Sequence, residues 1–346
     1  MLAARLTGWR APLEIGQAPD PDCPEDGVVL RVLACGICRS DWHAWTGADP
    51  VDLPHIPGHE YCGVIEAVGP RVSGWHRGDR VIAPFILACG SCPDCRAGHQ
   101  TICATQALPG FNAPGAFAQY VAVPHADANL ARLPEGMDPA LAAALGCRVT
   151  TAWHALTDRA ALAPGEWLAV QGAGGVGLSA LLLGRALGAR VVMVDVVPEK
   201  LAFATTLGAD AVVDARAGDA AAQVRALTGG GADVAIEALG IEATTVAALR
   251  SLRKRGRMVQ IGMPAGEHAT MRLPMDAVYS EQLALFGTRG MPGWRYPSLF
   301  ALIAGGHVDL TPLIARRVRL SDASAELAAF DGPAAPGVAV ITDFAG

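Results

Sequence analysis

The sequence of 346 residues has few aromatic residues (5%) and few charged residues (17%), and it carries no long block of one charge. Its strongest apolar stretch, 178–197, is interrupted by Arg185, Arg190 and Asp195, so it is too polar to span a bilayer. The N-terminus has no uninterrupted apolar core, which argues against a signal peptide. We therefore expect a cytoplasmic protein that does not associate with a membrane.

Nucleic acid is also not an expected partner. The net charge is −6, and the densest basic stretch, 250–257, fits the solvated end of a helix. Proteins that bind nucleic acid present clustered lysine and arginine, which this sequence lacks.

The length predicts two domains, and the residue pattern changes near Cys147. Before it, short β-type runs separated by turns predict a mostly β domain: 28–35, 61–69, 79–85 and 117–124. After it, apolar strands alternate with helical stretches, at 166–172, 191–197, 211–214, 233–239, 257–262 and 283–289. Such alternation predicts an α/β fold with a doubly wound parallel (Rossmann) sheet. Two further strands, 313–320 and 337–344, are expected to return to the first domain.

A glycine-rich turn, Gly172-Ala-Gly174-Gly175-Val176-Gly177, follows the first of these strands and opens a helix. This context makes G-x-G-x-x-G a fingerprint for dinucleotides. The first glycine permits a tight turn, the second lets the backbone approach a pyrophosphate, and the third allows close helix–strand packing. A glycine turn without a ligand is the alternative interpretation.

Asp195 stands at the end of the next strand, where a carboxylate can accept hydrogen bonds from the hydroxyls of the adenosine ribose. It would repel the 2′-phosphate of NADP. Val196 and Val197 follow it, so no adjacent arginine would receive that phosphate. The sequence therefore predicts NAD as the cofactor, with NADP as the alternative.

Four of the nine cysteines fall within residues 89–103: Cys89, Cys92, Cys95 and Cys103. Clustered cysteines in an intracellular chain indicate a metal more than disulfides, and four thiolates suit a closed, structural zinc site. An iron–sulfur cluster and a disulfide pair remain alternatives.

A second group combines Cys38, the pair His59 and Glu60, and Cys147. Two thiolates and an imidazole leave one position of a tetrahedral zinc ion open, as in catalytic sites. These residues come from distant segments, so spacing alone does not identify them.

Several motifs in one order resemble the zinc-containing medium-chain dehydrogenases. They are GICRSDWH (36–43), the run from Gly58 through Gly63 and Gly69 to Val72, the cysteine lobe, GDRV (78–81), FAQY (117–120), LGCR (145–148) and the glycine turn. The resemblance covers nearly the whole chain and is greatest to the alcohol dehydrogenase branch. It implies a GroES-like catalytic domain of residues 1–148 and 285–346, and a Rossmann domain of residues 149–284.

The resemblance implies two zinc ions per chain. Cys38, His59 and Cys147 match the ligands of the catalytic zinc, and the four cysteines of 89–103 match those of the structural one. Glu60 matches a carboxylate behind the catalytic zinc that can become a transient ligand. Asp41 matches the acid that orients the ligand histidine.

The resemblance also implies a proton relay from Ser40 through a cofactor hydroxyl to His43, since the proton of the alcohol must leave a dry site. Arg39 is expected at the cofactor pyrophosphate, and Lys200 and Gly262 at other parts of the cofactor. A departure from the family is Val338 in Gly337-Val338-Ala-Val340, where many relatives have a pyrophosphate-binding arginine.

Trp45, Phe85 and Leu108 match positions that often line the substrate cleft of the family, with ordinary core packing as the alternative. Together they suggest an apolar pocket for hydrophobic or aromatic alcohols. The expected function is reversible, NAD-linked oxidation of an alcohol to an aldehyde or ketone.

Three other interpretations remain. The first is a polyol or amino-alcohol dehydrogenase of the same zinc family, which is closest to the expected function. The other two are not enzymes: a non-catalytic zinc-binding module and a regulator. We expect small-molecule substrates and a homotetramer, with a dimer as the alternative assembly.

Overall fold

The structure is a computed structural model that describes residues 1–332 and 337–345. Within these residues the chain forms fifteen strands: β1 (Leu2–Arg5), β2 (Glu14–Gln17), β3 (Val28–Gly36), β4 (Glu60–Val68), β5 (Arg80–Ile82), β6 (Tyr120–Val123), β7 (Ala131–Arg132), β8 (Trp167–Gln171), β9 (Arg190–Asp195), β10 (Ala211–Asp214), β11 (Ala232–Glu237), β12 (Leu252–Gln260), β13 (Ala284–Gly287), β14 (Ile314–Arg319) and β15 (Val338–Asp343).

The same residues form twelve α-helices: α1 (Arg39–Thr46), α2 (Pro93–Arg96), α3 (Ala126–Asn129), α4 (Pro139–Ala144), α5 (Thr150–His154), α6 (Gly175–Ala186), α7 (Pro198–Thr206), α8 (Ala220–Leu227), α9 (Glu242–Ser251), α10 (Met275–Ser280), α11 (Tyr296–Ala304) and α12 (Ala323–Ala328). No helix of the described residues is long and apolar enough to cross a membrane.

Two compact units divide the chain. The first contains residues 1–150, 290–302 and the described residues from 311 onward, and the second contains 151–289 and 303–310. The second unit thus extends beyond the expected boundary at residue 284. Residues 285–289 belong to it because β13 completes its sheet by pairing with β12.

The first unit is mostly β. Its sheet has the order β14-β15-β3-β4-β5-β7, with β6 paired to β3. The long strands β3 and β4 are antiparallel and bring Gly36 opposite Glu60. A hydrophobic core that includes Leu30, Ile65 and Phe117 supports this sheet. The pairing therefore brings the C-terminal end of β3 and the N-terminal end of β4 together, where Cys38 and His59 follow and precede them.

The second unit is a six-stranded, wholly parallel sheet of order β10-β9-β8-β11-β12-β13. Its central strands β8, β9 and β11 are almost entirely buried, as apolar strands covered on both faces should be. The order of the strands reverses between β8 and β11. The predicted α/β doubly wound fold beside a mostly β, GroES-like domain is confirmed, and ligands of such sheets bind at this reversal.

Candidate metal centres and cofactor site

The open cluster consists of Cys38, His59, Glu60 and Cys147. One ligand atom from each residue lies within 4.8 Å of the others. Cys38 is the N-terminal cap of α1, His59 directly precedes β4, and Glu60 is the first residue of that strand. Cys147 lies in a π-helical turn, 145–149, that continues α4. Three segments far apart in sequence thus converge within the first unit.

Asp41 connects two of these segments. Its Oδ2 accepts a hydrogen bond from the Cys38 backbone at 2.8 Å, and its Oδ1 accepts one from the Gly58 backbone at 3.1 Å. The same Oδ1 lies 2.9 Å from Nδ1 of His59. The carboxylate is fully buried. It therefore holds the backbone of one candidate ligand and the ring of another in fixed positions.

The His59 ring has one nitrogen left for a metal. Nδ1 faces Asp41, and the buried Nε2 has no hydrogen-bond partner among the described residues. A buried polar atom without a partner costs about 1–3 kcal/mol, so its presence points to a missing ligand. Burial opposes protonation of this ring, but Asp41 and Cys38 outweigh burial and hold its pKa well above the usual value. The donor set of two thiols, one imidazole and a nearby carboxylate fits zinc.

The two thiols of the open cluster affect one another. Contact with Cys147 lowers the pKa of Cys38 well below its usual range, against the effect of burial, and the positive charge of Arg148 lowers it further. The same contact raises the pKa of Cys147. One thiol of the pair is thus already favoured as the thiolate, which is the form that binds metals.

Glu60 is fully buried beside this cluster, and burial raises the pKa of its carboxyl to about 8 despite the opposing charge of Arg148. Room for the side chain depends on two glycines. A Cβ atom at Gly36 would collide with the Glu60 carboxylate, and one at Gly146 would lie 2.8 Å from the Glu60 Cα. The Glu60 carboxylate can therefore lie next to the open cluster only because positions 36 and 146 are glycine.

Ser40 and His43 lie on α1, which Cys38 caps. The Ser40 Oγ is 3.9 Å from Sγ of Cys38. Nδ1 of His43 is buried without a hydrogen-bond partner among the described residues. Burial and the positive charge of Arg39 lower the pKa of His43, so the ring is neutral at neutral pH and can accept a proton.

Arg39 begins the same helix and lies between two rings. Its guanidinium is 4.9 Å from the centroid of Trp42 and 5.0 Å from that of Phe330. It also donates a hydrogen bond to the Phe330 carbonyl at 3.2 Å. The side chain remains exposed, so the stacked cation can still meet an anion.

The second cluster contains Cys89, Cys92, Cys95 and Cys103, whose Sγ atoms lie within 4.8 Å of one another. The sulfur atoms of Cys89 and Cys95 are 4.0 Å apart, which is too far for a disulfide. Four sulfurs at ~2.3 Å from a tetrahedral zinc ion would be about 3.8 Å apart. Hydrogen bonds from Ser91 lower the pKa of Cys89 to about 5. The geometry thus fits a closed metal site and excludes the disulfide alternative for this pair.

The glycine turn has the predicted context between β8 and α6. Gly172 has a φ of +99°, which favours glycine, and a Cβ at Gly177 would collide with the Gly172 carbonyl. A Cβ at the exposed Gly174 would meet nothing within 4 Å. Gly175 and Val176 begin α6, and no side chain caps its N-terminus. Free N–H groups above an open turn provide a binding site for phosphate.

Asp195 ends β9, as predicted. Its Oδ2 accepts a hydrogen bond from the Ala173 backbone at 2.7 Å, and its Oδ1 accepts bonds from Val196 and Val197 at 2.8 and 2.9 Å. The carboxylate therefore also ties β9 to the glycine turn, a role that the sequence did not predict. Each oxygen has two lone pairs, so Oδ2 can still accept a bond from a ligand. Lys200, half-buried on α7, lies five residues further along the chain.

Gly262 follows β12, and a Cβ there would collide with the backbone of Gly240. Between these two loops lies Glu237, a fully buried acid at the end of β11. It accepts hydrogen bonds from Leu239, Gly240, Thr244 and Gln260. Sequence reasoning did not select Glu237. Its signal is a charged residue that ends an otherwise apolar strand at the ligand-binding edge of the sheet.

The three pocket candidates lie in different environments. Phe85 is 5.8 Å from the His59 ring, so it is next to the open cluster. Leu108 begins a turn that carries Phe111, whose ring is 5.1 Å from that of His59. Trp45 instead belongs to the hydrophobic core, and its Nε1 donates to the Ala11 carbonyl at 2.7 Å. Sequence reasoning missed Phe111, which has no motif of its own.

Comparisons with known proteins show which family the chain resembles. The family models described as alcohol dehydrogenase GroES-like domain and zinc-binding dehydrogenase match residues 24–135 and 175–305. An alcohol dehydrogenase of Geobacillus stearothermophilus is 37% identical over 270 residues, 77% of this chain and 79% of the relative. A sorbitol dehydrogenase of Bacillus subtilis is 32% identical over 309 residues, 87% of this chain and 86% of that relative.

Among solved structures, the alcohol dehydrogenase from Thermus sp. ATN1 superposes with a TM-score of 0.92 at 29% sequence identity. The alignment covers 99% of this chain and 100% of the other. The sequence matches thus cover most of the chain, and the structural match covers nearly all of it. The chain belongs to the zinc-containing medium-chain dehydrogenase family, in its alcohol dehydrogenase branch, and is an oxidoreductase.

Proposed function

We propose that this protein is a zinc-dependent, NAD-linked alcohol dehydrogenase with two zinc ions per chain. The observation that carries the proposal is the open cluster, in which Asp41 occupies Nδ1 of His59 and leaves the buried Nε2 without a partner beside two thiols. Cys38, His59 and Cys147 are the proposed ligands of the catalytic ion. Cys89, Cys92, Cys95 and Cys103 are those of the structural ion.

When bound, the open-site zinc would supply Lewis-acid activation of the alcohol oxygen. Ser40 accepts the proton of the alcohol, and His43 exchanges it with solvent. The lowered pKa of His43 suits this role, because only the neutral ring accepts a proton. Bound NAD would supply the nicotinamide that accepts the hydride of the carbinol carbon.

NAD rather than NADP is the proposed cofactor because Asp195 presents a carboxylate at the end of β9, where a 2′-phosphate would be repelled. Gly174, Gly175, Val176 and the α6 N-terminus would bind the pyrophosphate. Lys200 and Gly262 are proposed as further cofactor contacts. Val338 carries no charge, so it offers no phosphate contact of the kind that many relatives have at this position.

A hydrophobic alcohol is the proposed substrate, because Phe85 and Phe111 place two aromatic rings within 6 Å of the His59 ring. Such a wall provides apolar contact area and offers no hydrogen bonds to a polyol. The product would be an aldehyde or a ketone, and the reaction is reversible.

The test combines zinc analysis with an NAD-coupled screen of primary, secondary, aromatic and polyol substrates. Two zinc ions per chain and turnover of apolar alcohols with NAD are expected. One zinc ion or none would refute the two-site assignment. Preference for sorbitol-like substrates would favour the polyol alternative.

A further inference from the structure

Arg148 is a buried cation immediately after Cys147. Only 7% of the residue is exposed. Its Nη2 donates a hydrogen bond to the Ile37 carbonyl at 2.7 Å and lies 3.2 Å from Oε2 of Glu60. Ile37 directly precedes Cys38, so this one guanidinium contacts the surroundings of two candidate ligands.

Arg148 brings a buried positive charge next to the open cluster. Cys38 and Cys147 bind metal as thiolates, and Glu60 adds a carboxylate within 4.8 Å of them. A buried guanidinium is costly unless it has a partner, and the Glu60 carboxyl group provides that partner.

The position of the Glu60 carboxylate also depends on Arg148. Neither carboxylate oxygen accepts a hydrogen bond from a described residue. Gly36 and Gly146 make room for the side chain but donate nothing to it. The ion pair with Arg148, at 3.2 Å, is the polar contact that the described residues give this carboxylate.

We propose that Arg148 is a positioning residue of the open metal site. By pairing with Glu60, it keeps that carboxylate out of the fourth coordination position, which stays available to the substrate. The inference rests on the proposed function, because it requires a metal bound by Cys38, His59 and Cys147.

The visible absorption of the protein loaded with Co²⁺ tests this, since the spectrum depends on the donor set of the metal. In Arg148→Gln, which keeps a donor for the Ile37 carbonyl, Glu60 is expected to coordinate and change the open-site bands. The KM for alcohol should rise roughly 10–100-fold, as is typical when an outer partner of a metal site is lost, with a smaller change in kcat.

Two further variants identify the cause. Arg148→Lys keeps the charge and should retain the wild-type spectrum. In Arg148→Gln/Glu60→Gln the competing carboxylate is gone, so the wild-type bands should return. The matched control is Arg317→Gln, an exposed arginine paired with Asp138, which should behave as wild type.

A wild-type spectrum in Arg148→Gln, or a double variant identical to the single one, would overturn the proposal. If Arg148→Gln fails to fold, the double variant decides. A folded double variant with wild-type bands supports the proposal, and one that also fails to fold refutes it, since Arg148 then acts on the fold. Cys38→Ser provides the blank: if its Co²⁺ spectrum equals that of wild type, the proposed open site itself is wrong.

Discussion

Nδ1 of His59 lies 2.9 Å from Oδ1 of Asp41, and both side chains are buried. This hydrogen bond determines which ring nitrogen faces the cluster. Because Asp41 also caps α1 through the Cys38 backbone, a single carboxylate connects the start of the helix with the strand that carries Glu60.

Asp41→Asn should weaken metal binding at the open site by roughly 10–100-fold, the usual effect of losing such a partner. The amide can replace only one carboxylate oxygen, so its NH₂ group would face either the Cys38 or the Gly58 backbone N–H. Competition with a chelator measures the affinity. Asp20→Asn, at an exposed carboxylate, is the control. Unchanged affinity in Asp41→Asn would refute the orienting role.

His43→Gln should lower the rate of alcohol oxidation by roughly 10²-fold at neutral pH, within the range of general base catalysis. The pKa of His43 is lowered, so the wild-type ring loses its acceptor role only below the usual value of about 6.5. The wild-type rate should therefore fall below that pH, and the variant should lack this step. His76→Gln is the control, and an identical pH profile in His43→Gln would exclude the relay.

Asp195→Ala should raise the KM for NAD about tenfold and relax discrimination against NADP, because the repulsive carboxylate is lost. Asp195→Asn separates charge from hydrogen bonding. It keeps an acceptor for the ribose but not the repulsion, so it should retain more NAD affinity than the alanine variant. Kinetics with both cofactors measure this. An unchanged preference in both variants would show that Asp195 only supports the glycine turn.

Cys95→Ser should remove one zinc ion per chain and leave the other. Loss of a metal that holds residues 89–103 should cost at least about 2 kcal/mol, or roughly 4–8 °C in Tm for a domain of this size. Zinc analysis and calorimetry measure both quantities. The matched variant is Cys62→Ser, a buried cysteine outside both clusters, which should keep two zinc ions.

Phe111→Ala should raise the KM for aromatic and long-chain alcohols about 5–30-fold, since burial of apolar surface worth roughly 1–2 kcal/mol is lost. The KM for ethanol should change little, which makes the small substrate an internal control. Equal changes for both substrates would mean that Phe111 positions His59 rather than the substrate.

Short-range patterns in the sequence predicted much of the secondary structure. The strands of both units occur close to the expected positions, because alternating apolar runs and turn residues act over short distances. The glycine turn and the 89–103 lobe are also local. The residues of the open cluster are far apart in the sequence, so the resemblance to the family was needed to group Cys38, His59 and Cys147.

The residues that sequence reasoning did not select have a common feature. Arg148, Phe111 and Glu237 were missed because their roles arise from contacts between segments distant in sequence. The sequence left both a pocket role and core packing open for Trp45, and the structure places it in the core with its Nε1 on the Ala11 carbonyl. The sequence places Trp45 on α1, but it does not say whether the side chain faces the substrate pocket or the core.

The close fit of Gly36 and Gly146 around Glu60 restricts how this site can change over generations or be transferred to another scaffold. Either glycine, once exchanged for alanine, places a methyl group against the acid. The two positions lie 110 residues apart in the chain, yet both must be glycine for the Glu60 side chain to fit. A designer who copied only the liganding residues would reproduce the donors without the space that the Glu60 side chain needs.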